Sequence, residues 1–286
     1  MSEKIPITSQ TPGLGDHQHL VSEMQEKLEQ AKEKSAGEKE IIVIPDRRER
    51  VLEPSEMFNE AEAKLYIEGC DFPETSDYII PAVWLDNEFG VRGKTILEIC
   101  TGPGNLALEI SRLGAEKVIG LDGDPTMINH AQQKQNLTQG LKFQLGLVDN
   151  VPFNDNSFDL TIVQNSLHQL FNPLNAIKEM VRVLKSGGIG VIRDFNRLCS
   201  EKNLIERLEH TKPGIVELLL DSILAAQTPE EFAEMLNKIQ DIASFEIRNV
   251  PDPRGSSPKV DELIALDPVP HWMDHLISHD VIFIKK

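Results

Sequence analysis

The feature that most constrains this chain is a glycine turn that joins an apolar strand to a helix. The segment reads Thr95-Ile-Leu-Glu-Ile-Cys-Thr-Gly-Pro-Gly-Asn-Leu-Ala107, with Glu98 in the strand and Gly102 and Gly104 in the turn. Glycine permits the positive φ that a sharp reversal needs and leaves room for a ligand against the backbone. The following helix directs its unpaired N–H groups and the positive end of its dipole to the same place. A second apolar strand ends in Asp122, and this layout is typical of sites that hold an adenosine-containing cofactor.

Two cofactors suit such a turn. The string Gly102-Pro-Gly-Asn-Leu-Ala107 fits the dinucleotide pattern G-x-G-x-x-A. However, Pro103 lacks a backbone N–H that could bind a pyrophosphate, and Glu98 places negative charge near those phosphates. S-adenosylmethionine carries no phosphate, and its sulfonium and α-ammonium groups are positive, so a carboxylate at the strand end stabilises it. Asp122, at the tip of the neighbouring strand, would accept hydrogen bonds from the ribose hydroxyls.

Five segments follow one another in a characteristic order. They are Ile96-Leu-Glu-Ile-Cys-Thr-Gly-Pro-Gly104, Gly120-Leu-Asp-Gly-Asp-Pro-Thr-Met127, Gly146-Leu-Val-Asp-Asn-Val-Pro-Phe-Asn-Asp-Asn-Ser-Phe-Asp159, Asn165-Ser-Leu-His-Gln-Leu170 and Leu184-Lys-Ser-Gly-Gly188. Together they resemble the motifs of the class I S-adenosylmethionine-dependent methyltransferases, particularly the small-molecule branch that includes the ubiquinone and menaquinone biosynthesis type. The resemblance covers residues 94–196 and fades outside them.

The resemblance implies a cofactor, S-adenosylmethionine, and a set of residues that bind it. Glu98, Gly102 and Gly104 would hold the methionine part, Asp122 the ribose, and the segment from Leu147 to Asp149 the adenine. The full set of cofactor-binding residues that we expect is Glu98, Cys100, Gly102, Gly104, Asp122, Gly123, Leu147, Val148, Asp149 and Gln164.

Three of these residues depart from the family's pattern. Cys100 stands where the first glycine is usual, so we expect either an ordinary φ at this position or a looser approach to the cofactor. Leu147 stands where an acid often receives the adenine amino group, and that contact would come from Asp149, Asn150 or water, or be absent. Gly123 stands where a larger side chain often covers the adenine or ribose.

Strand and helix patterns alternate through the core and predict an α/β fold. Strands are expected near 95–100, 117–122, 141–146, 158–163 and 189–194, and the last two near 245–250 and 279–285. We predict a Rossmann-like, mainly parallel seven-stranded sheet with helices on both faces, an antiparallel last strand and a helical insertion after strand five. A helix should begin after Asn172, with that residue as cap and Pro173 in the first turn.

The chain divides into three expected regions. Residues 1–40 read as a flexible polar tail, residues 41–93 as a helical leader or cap over the cofactor, and residues 94–286 as the methyltransferase core. Three helical segments in 197–240 are expected to form a lid that shapes the acceptor site. In the family such a leader forms one wall of the substrate pocket. Its candidate lining residues are Tyr66, Phe72, Tyr78 and Trp84, for which plain core packing is an equally open explanation.

Composition limits the partners. The chain has 286 residues, of which 29 are basic and 46 acidic, so its formal net charge is −17. Such a field repels polyanions, so we expect no nucleic-acid partner and favour a small neutral, cationic or amphipathic acceptor. No apolar run is long enough to span a membrane, the polar start is not a secretory signal, and 3 scattered cysteines build no disulfide framework, so we expect a cytoplasmic protein. A homodimer is left open.

The expected reaction is methyl transfer to oxygen or carbon of a small molecule, which depends mainly on alignment in a dry site. A hydroxyl acceptor would benefit from a base, and His168 is our candidate because it leaves the fourth strand beside the reactive end of the cofactor. Asp194 at the tip of the fifth strand would orient this histidine or bind the acceptor. Arg193 and Asn165 are further pocket candidates. A purely structural role for His168 and Asp194 is equally open.

His271, His275 and His279 recur at a spacing of four and would share one face of a helix. We nevertheless expect no metal site, because Pro268 and Pro270 indicate a loop and His279 should open the last strand. Two other functions stay open. An NAD-dependent oxidoreductase would share the glycine turn but should lack an antiparallel final strand, whereas a non-catalytic S-adenosylmethionine-fold regulator would bind the cofactor without turnover.

Overall fold

The structure is a computed structural model that describes residues 8–10, 43–53, 59–70, 76–211, 213–266 and 271–286. Apart from Thr8–Gln10, the predicted tail lies outside these residues, as does Phe72. Thr8–Gln10 (β1) and Val43–Pro45 (β2) form a short parallel pair. Among the described helices, none is both long and apolar enough to cross a membrane.

The core is a seven-stranded sheet. Its strands are β3 (Thr95–Ile99), β4 (Lys117–Asp122), β5 (Leu141–Leu145), β6 (Phe158–Gln164), β7 (Leu184–Phe195), β8 (Ile242–Asn249) and β9 (Ser278–Lys285). Their order is β5-β4-β3-β6-β7-β9-β8. The first five strands pair in parallel, and β9 runs antiparallel to both β7 and β8. This confirms the predicted Rossmann-like sheet with its antiparallel last strand.

Nine described helices accompany the strands. They are α1 (Glu60–Cys70), α2 (Ser76–Phe89), α3 (Asn105–Arg112), α4 (Pro125–Ala131), α5 (Pro173–Val183), α6 (Glu201–Glu209), α7 (Pro213–Ala225), α8 (Pro229–Asn237) and α9 (Pro258–Leu266). The predicted start of α5 is confirmed, because the Asn172 side chain accepts a hydrogen bond from the Asn175 N–H and Pro173 occupies the first turn. Three helices, α6 to α8, fill the predicted insertion between β7 and β8.

Both faces of the sheet are buried, because side chains along a strand alternate in direction. Ile96 and Leu97 are neighbours in β3, yet they belong to different apolar clusters. Leu97 packs on the side of α5 and α8, and Ile96 on the side of α2, α3 and α4. The insertion has its own cluster around Phe195, Leu204 and Ile223. The insertion is therefore a packed unit that lies beside the carboxyl end of β7.

The fifth strand of the sheet, β7, begins earlier than the predicted 189–194. Leu184 pairs with Phe158 and Ile189 pairs with Leu160, so the residues between 184 and 189 leave the ladder as a bulge. Gly187 in this bulge has a φ of 75°. The segment Leu184-Lys-Ser-Gly-Gly188 is therefore an irregularity within one strand, placed after its first residue.

Residues 46–53, which we name the leader strap, tie the leader to the insertion. Arg47 donates from Nη1 to the carbonyl of Arg197 at 2.9 Å, and Arg197 donates from Nε to the carbonyl of Arg47 at 2.9 Å. Arg197 is 1% exposed and also pairs with Glu231 at 2.6 Å. Since a buried guanidinium requires such partners, this exchange fixes the strap against the start of the insertion.

Arg50 makes a second set of contacts from the leader strap. Its Nε donates to the carbonyl of Ala225 at 2.5 Å, and its Nη2 donates to the carbonyls of His168 and Leu170, each at 2.9 Å. Ala225 is the last residue of α7, whereas His168 and Leu170 follow β6. One side chain therefore joins the insertion to the carboxyl edge of the sheet.

Candidate functional site

The glycine turn after β3 has the left-handed backbone that its sequence indicates. Gly102 has a φ of 51° and Gly104 a φ of 82°. Cys100 also has a positive φ, 57°, so the ordinary φ that we considered for this residue is wrong. Cys100 adopts the conformation of the glycine that it replaces, at the steric cost of a Cβ in the left-handed region.

The two glycines are needed for different reasons. A Cβ on Gly102 would contact nothing within 4 Å, whereas a Cβ on Gly104 would lie 2.4 Å from a ring carbon of Phe143. We expected a side chain in the turn to obstruct a bound ligand. At Gly104 the obstacle is instead the protein's own Phe143 ring, which supports the turn from β5.

Glu98 lies near the end of β3 and is 4% exposed. Its Oε2 accepts a hydrogen bond from the Thr101 hydroxyl at 2.5 Å. Burial raises the pKa of Glu98 to about 8, although hydrogen bonds from Thr101 and from the backbone of Ala107 act in the opposite direction. A carboxyl with this pKa is mostly protonated at neutral pH and would ionise in response to a nearby cation.

Asp122 closes β4 and braces the glycine turn. Its Oδ2 accepts the N–H of Gly102 at 2.8 Å, and its Oδ1 accepts the N–H of Asp124 at 2.9 Å. Burial raises the pKa of Asp122 against the effect of these backbone N–H groups. Each carboxylate oxygen has a second lone pair, so Asp122 retains acceptor capacity for a ligand hydroxyl.

A cavity of about 530 Å³ opens at these strand ends. Its size is within the usual range for small-molecule sites. The predicted residues in its lining are Tyr66, Tyr78, Glu98, Cys100, Gly102, Asp122, Gly123, Leu147, Val148, Asp149, Gln164, Asn165 and His168. The insertion contributes Arg207, Leu218, Leu219 and Ser222. The cavity therefore extends from the glycine turn to the first helices of the insertion.

Part of the cavity wall is apolar and exposed. Leu147 is 61%, Phe171 51% and Leu218 43% exposed, and all three line the cavity. Leu147 belongs to the segment expected near the adenine, and Leu218 belongs to the insertion. Large apolar side chains exposed around one opening are typical of a surface that contacts an apolar ligand.

His168 lies in the wall of the same cavity and is held by Asp194. The His168 Nδ1 lies 2.6 Å from Asp194 Oδ1, and the backbone N–H of His168 donates to Asp194 Oδ2 at 2.8 Å. Both side chains are buried. On the other side of the ring, Nε2 lies 3.6 Å from Oε1 of Glu53 in the leader strap.

The two carboxylates control the charge of His168. Burial disfavours the imidazolium, but Asp194 and then Glu53 more than offset this effect and raise the pKa of His168. Glu53 also accepts a hydrogen bond from the Ser222 hydroxyl at 3.0 Å. His168 is thus positioned to bind a proton between residues of the leader, the sheet and the insertion.

The sequence did not indicate Glu53 or Ser222 as site residues. Glu53 precedes Pro54 in an irregular segment, and Ser222 lies within an apolar helix. Neither belongs to a motif, and Glu53 contacts His168 and Ser222 across 115 and 169 residues of chain, so no local pattern signals them.

The remaining candidates lie outside the main cavity. Gly104 supports the turn from behind, and Asp194 lies behind His168. Arg193 makes a bidentate ion pair with Asp280, at 2.7 and 2.9 Å, and lines a smaller neighbouring cavity together with Trp84.

Two of the histidines considered for a metal, His275 and His279, have different partners. His275 approaches Asp252, with 3.8 Å between Nε2 and Oδ2. His279 is buried in β9, where its ring packs edge-on against Phe232 at 5.1 Å. Within the described ranges no group of three or more His, Cys, Asp or Glu side chains could hold a metal ion.

Comparison with known proteins gives the family of the central segment. Residues 97–192 match the family model described as a methyltransferase domain. Over 102 residues the chain is 34% identical to demethylmenaquinone methyltransferase of Staphylococcus epidermidis, a match that covers 35% of this chain and 42% of the relative. The chain therefore spans less than half the length of this curated relative.

Two solved structures share the fold over most of the chain. One is a candidate S-adenosyl-L-methionine-dependent methyltransferase from Methanococcus maripaludis, with a TM-score of 0.61, 22% identity and coverage of 82% of this chain and 97% of that protein. The other is the plantazolicin methyltransferase solved with a triazolic desmethyl analogue and SAH, with a TM-score of 0.56, 16% identity and coverage of 95% and 99%. The family match therefore identifies residues 97–192 as a methyltransferase domain, and the two solved structures share the fold that the strand order shows.

Proposed function

We propose that this protein transfers a methyl group from S-adenosylmethionine to oxygen or carbon of a small-molecule acceptor. The observation that carries the proposal is a single cavity that joins the Glu98 and Asp122 carboxyl groups at one end to His168 at the other. The names of the methyltransferases reported above, which refer to demethylmenaquinone and plantazolicin, support an acceptor other than nucleic acid.

The charges of the cavity suit a cationic cofactor. The described lining contains five carboxyl groups, those of Glu98, Asp122, Asp124, Asp149 and Asp274. Its only described lysine or arginine is Arg207, which bonds to Asp274 at 2.6 Å. A pyrophosphate would find no available cation among these side chains, whereas a sulfonium and an ammonium would be attracted.

Each residue at the cofactor end has a proposed role. Glu98 stabilises the positive methionine end, Asp122 accepts hydrogen bonds from the ribose hydroxyls, and Gly102 leaves space for close approach. Leu147 and Val148 contact the adenine through their apolar side chains. The bound cofactor supplies an activated methyl group, so the protein needs mainly to align the acceptor with it and exclude water.

At the acceptor end we assign His168 as general base and Asp194 as its positioning residue. The raised pKa of His168 means that the neutral ring accepts a proton readily once it is formed. The insertion covers this end as a lid, and Tyr66 and Tyr78 of the leader face the same cavity. The exposed apolar rim of Leu147, Phe171 and Leu218 favours an amphipathic acceptor with an apolar part.

The net charge of −17 supports a small molecule over DNA or RNA, because long-range repulsion would oppose every approach of a polyanion. The antiparallel strand β9 also disfavours the oxidoreductase that we considered from the sequence. The non-catalytic regulator differs from an enzyme only in turnover, so a turnover assay decides between them.

The test combines binding and turnover. Calorimetry with S-adenosylmethionine and, separately, NAD should detect binding of the first only. Asp122→Ala should weaken this binding at least about tenfold without unfolding the chain, and Asp155→Ala, which removes an exposed carboxylate, is the matched control. A wild-type protein that binds NAD instead, or an Asp122→Ala variant with unchanged affinity, would contradict the assignment. Labelled methyl transfer to an acceptor panel then separates an enzyme from a regulator.

A further inference from the structure

A second cavity lies behind the end of β6. It has a volume of about 140 Å³ and is enclosed by helix α2, the carboxyl ends of β6 and β7, the loop of residues 250–256 and the segment 274–278. Gln164, Asn165 and Asp274 line both this cavity and the large one. The two cavities therefore meet at the tip of the fourth sheet strand. A cavity of similar size holds a single benzene ring in another protein.

Three polar atoms at this cavity are buried and have no hydrogen-bond partner among the described residues. They are Trp84 Nε1, Asn165 Oδ1 and Ser278 Oγ. Ser278 as a whole is 5% exposed. Buried polar atoms in proteins are nearly always paired, and leaving them unpaired costs free energy. One donor, one acceptor and one hydroxyl that can do either are thus unpaired beside the cavity, and a ligand pairs with them only if the surrounding side chains shift to expose them.

The backbone of Asn165 is held in a defined conformation at the end of β6. Asn165 has a φ of 48°, in the left-handed region that few side chains adopt without cost. Its N–H donates to the carbonyl of Arg193 at 2.8 Å, so strand β7 fixes this conformation. Asparagine tolerates this region better than most residues, so the conformation carries little strain.

The charged groups around the second cavity are already compensated. Arg193 is paired with Asp280 and lies 4.4 Å from the centre of the Trp84 ring. Asp274 is bonded to Arg207, and Asp252 is bonded to Arg254 and faces His275. An ionised ligand would have to compete with these pairs, whereas a neutral polar ligand would not.

We infer that this second cavity is a subsite that holds a neutral, ring-sized group bearing both a hydrogen-bond donor and an acceptor, such as a phenol or hydroxylated heterocycle. The inference rests on the proposed function, because it makes this group one end of the methyl acceptor, with the rest in the large cavity. The Trp84 N–H donates to the group, and Asn165 Oδ1 accepts from it. Ser278 provides a third hydrogen bond.

The experiment uses phenol as the probe. Toluene, which has nearly the same shape but no hydroxyl, tests the hydrogen bonds, and benzoate tests the effect of a negative charge. The chain has 2 tryptophans, so ¹⁵N-labelled full-length protein gives two indole signals, and Trp84→Phe identifies the one from Trp84. Phenol should shift the Trp84 signal saturably, and toluene and benzoate should bind at least about fivefold more weakly. Ser278→Ala should weaken phenol binding by about two- to tenfold.

Thermal stability separates a binding role from a structural one. Since Ser278 Oγ has no described partner, Ser278→Ala should keep or raise the melting temperature while it weakens phenol binding. Ser157→Ala, whose hydroxyl bonds in a distant turn, is the control and should leave phenol binding unchanged. Any of three results would overturn the inference: a Trp84 signal that phenol does not shift, toluene binding as tight as phenol binding, or unchanged phenol binding by Ser278→Ala. The cavity would then be expected to hold ordered water.

S-adenosylmethionine affinity is measured on the same samples. Cofactor binding without phenol binding would overturn the subsite alone. Phenol binding without cofactor binding would contradict the proposed function and, with it, the assignment of the ring to a methyl acceptor. The two failures are thereby distinguished.

Discussion

Asp194 holds His168 at two points, because Oδ1 lies 2.6 Å from the ring Nδ1 and Oδ2 accepts the backbone N–H at 2.8 Å. The aspartate therefore fixes both the ring and the chain segment that carries it. As Nδ1 faces Asp194, Nε2 is the nitrogen on the side of Glu53. If His168 acts as a base, Nε2 is the atom that accepts the proton.

Replacing Asp194 with asparagine should reduce turnover by about 100-fold, a typical contribution of a positioned base. The loss of negative charge should lower the pKa of His168, since Asp194 raises it. Turnover of the variant against pH and NMR titration of the His168 ring measure the two effects. Unchanged turnover with a lowered pKa would leave Asp194 a structural role only.

The same variant should show a defined pH dependence of stability. A histidine with a raised pKa stabilises the folded state fully below its unfolded pKa of about 6.5, and this contribution is lost as pH rises through the folded pKa. The difference in free energy of unfolding between wild type and Asp194→Asn should therefore be largest in mildly acidic solution and shrink toward alkaline pH. Urea denaturation at several pH values measures it, and a difference that grows with pH would contradict the charge assignment.

At alkaline pH, where the His168 ring is neutral in both proteins, replacing Glu53 with glutamine should lower turnover by up to about tenfold, because the ring becomes the weaker base. The cofactor affinity should not change, because Glu53 is not among the residues that line the cavity beside the glycine turn. Glu49→Gln alters an exposed acid of the same leader strap and serves as the matched control. Equal activity of the two variants would remove Glu53 from the site.

Cofactor binding should release a proton from Glu98. Since the pKa of Glu98 is about 8 in the unliganded protein, a cationic ligand that requires the carboxylate must displace its proton at pH 7. The affinity for S-adenosylmethionine should rise by up to about tenfold per pH unit until pH approaches 8. Calorimetry in buffers of different ionisation enthalpy counts the released proton. In Glu98→Gln the affinity should be lower and lose this dependence, and a wild-type affinity that is flat between pH 6 and about 8 would contradict the prediction.

Alanine should be tolerated differently at the two turn glycines. Gly104→Ala places a Cβ against the Phe143 ring and in the left-handed region, and should cost about 2–4 kcal/mol. In Gly102→Ala the new Cβ contacts nothing, so only its presence at a positive φ lowers the free energy of unfolding, by about 1–2 kcal/mol. Chemical denaturation of both variants provides the comparison. Equal losses would mean that the Phe143 ring moves aside.

Cys100 offers a test of the unexpected backbone conformation. Cys100→Gly removes a Cβ at a φ of 57°, which stabilises the folded state. Glycine also gives the unfolded chain more freedom, which offsets most of this gain. The free energy of unfolding should therefore change by no more than about 1 kcal/mol. Cys100→Val introduces a β-branched side chain there and should cost about 2 kcal/mol or more. A valine variant as stable as wild type would show that the turn relaxes to a negative φ.

The sequence predicts the core well because its signals are local. The strand ending at Glu98, the glycine turn and the acid at Asp122 each depend on a few neighbouring residues, and Asn172 with Pro173 marks the start of α5 in the same way. The alternation of strands and helices then leaves few topologies for the sheet. For these parts, backbone preference and apolar periodicity agree with the tertiary structure.

The parts that escaped prediction depend on contacts between distant segments. Nothing near Glu53 indicates that it faces His168, because the leader strap reaches the site through carbonyl contacts made by Arg47 and Arg50. The positive φ of Cys100 is imposed by the turn around it against the preference of the residue. The second cavity arises where Trp84 and Ser278 come together from opposite ends of the chain, and neither has a motif.

Arg50 bonds at once to the carbonyl at the end of α7 and to those of His168 and Leu170. If the insertion acts as the proposed lid, an opening that carries the leader strap with it has to break the bonds to His168 and Leu170, and it moves Glu53, three residues further along the strap, away from the imidazole. In that proposal, admission of the acceptor is coupled to the contact between Glu53 and His168. In such an open molecule Asp194 would still hold His168, but the imidazole would lack the second carboxylate that raises its pKa.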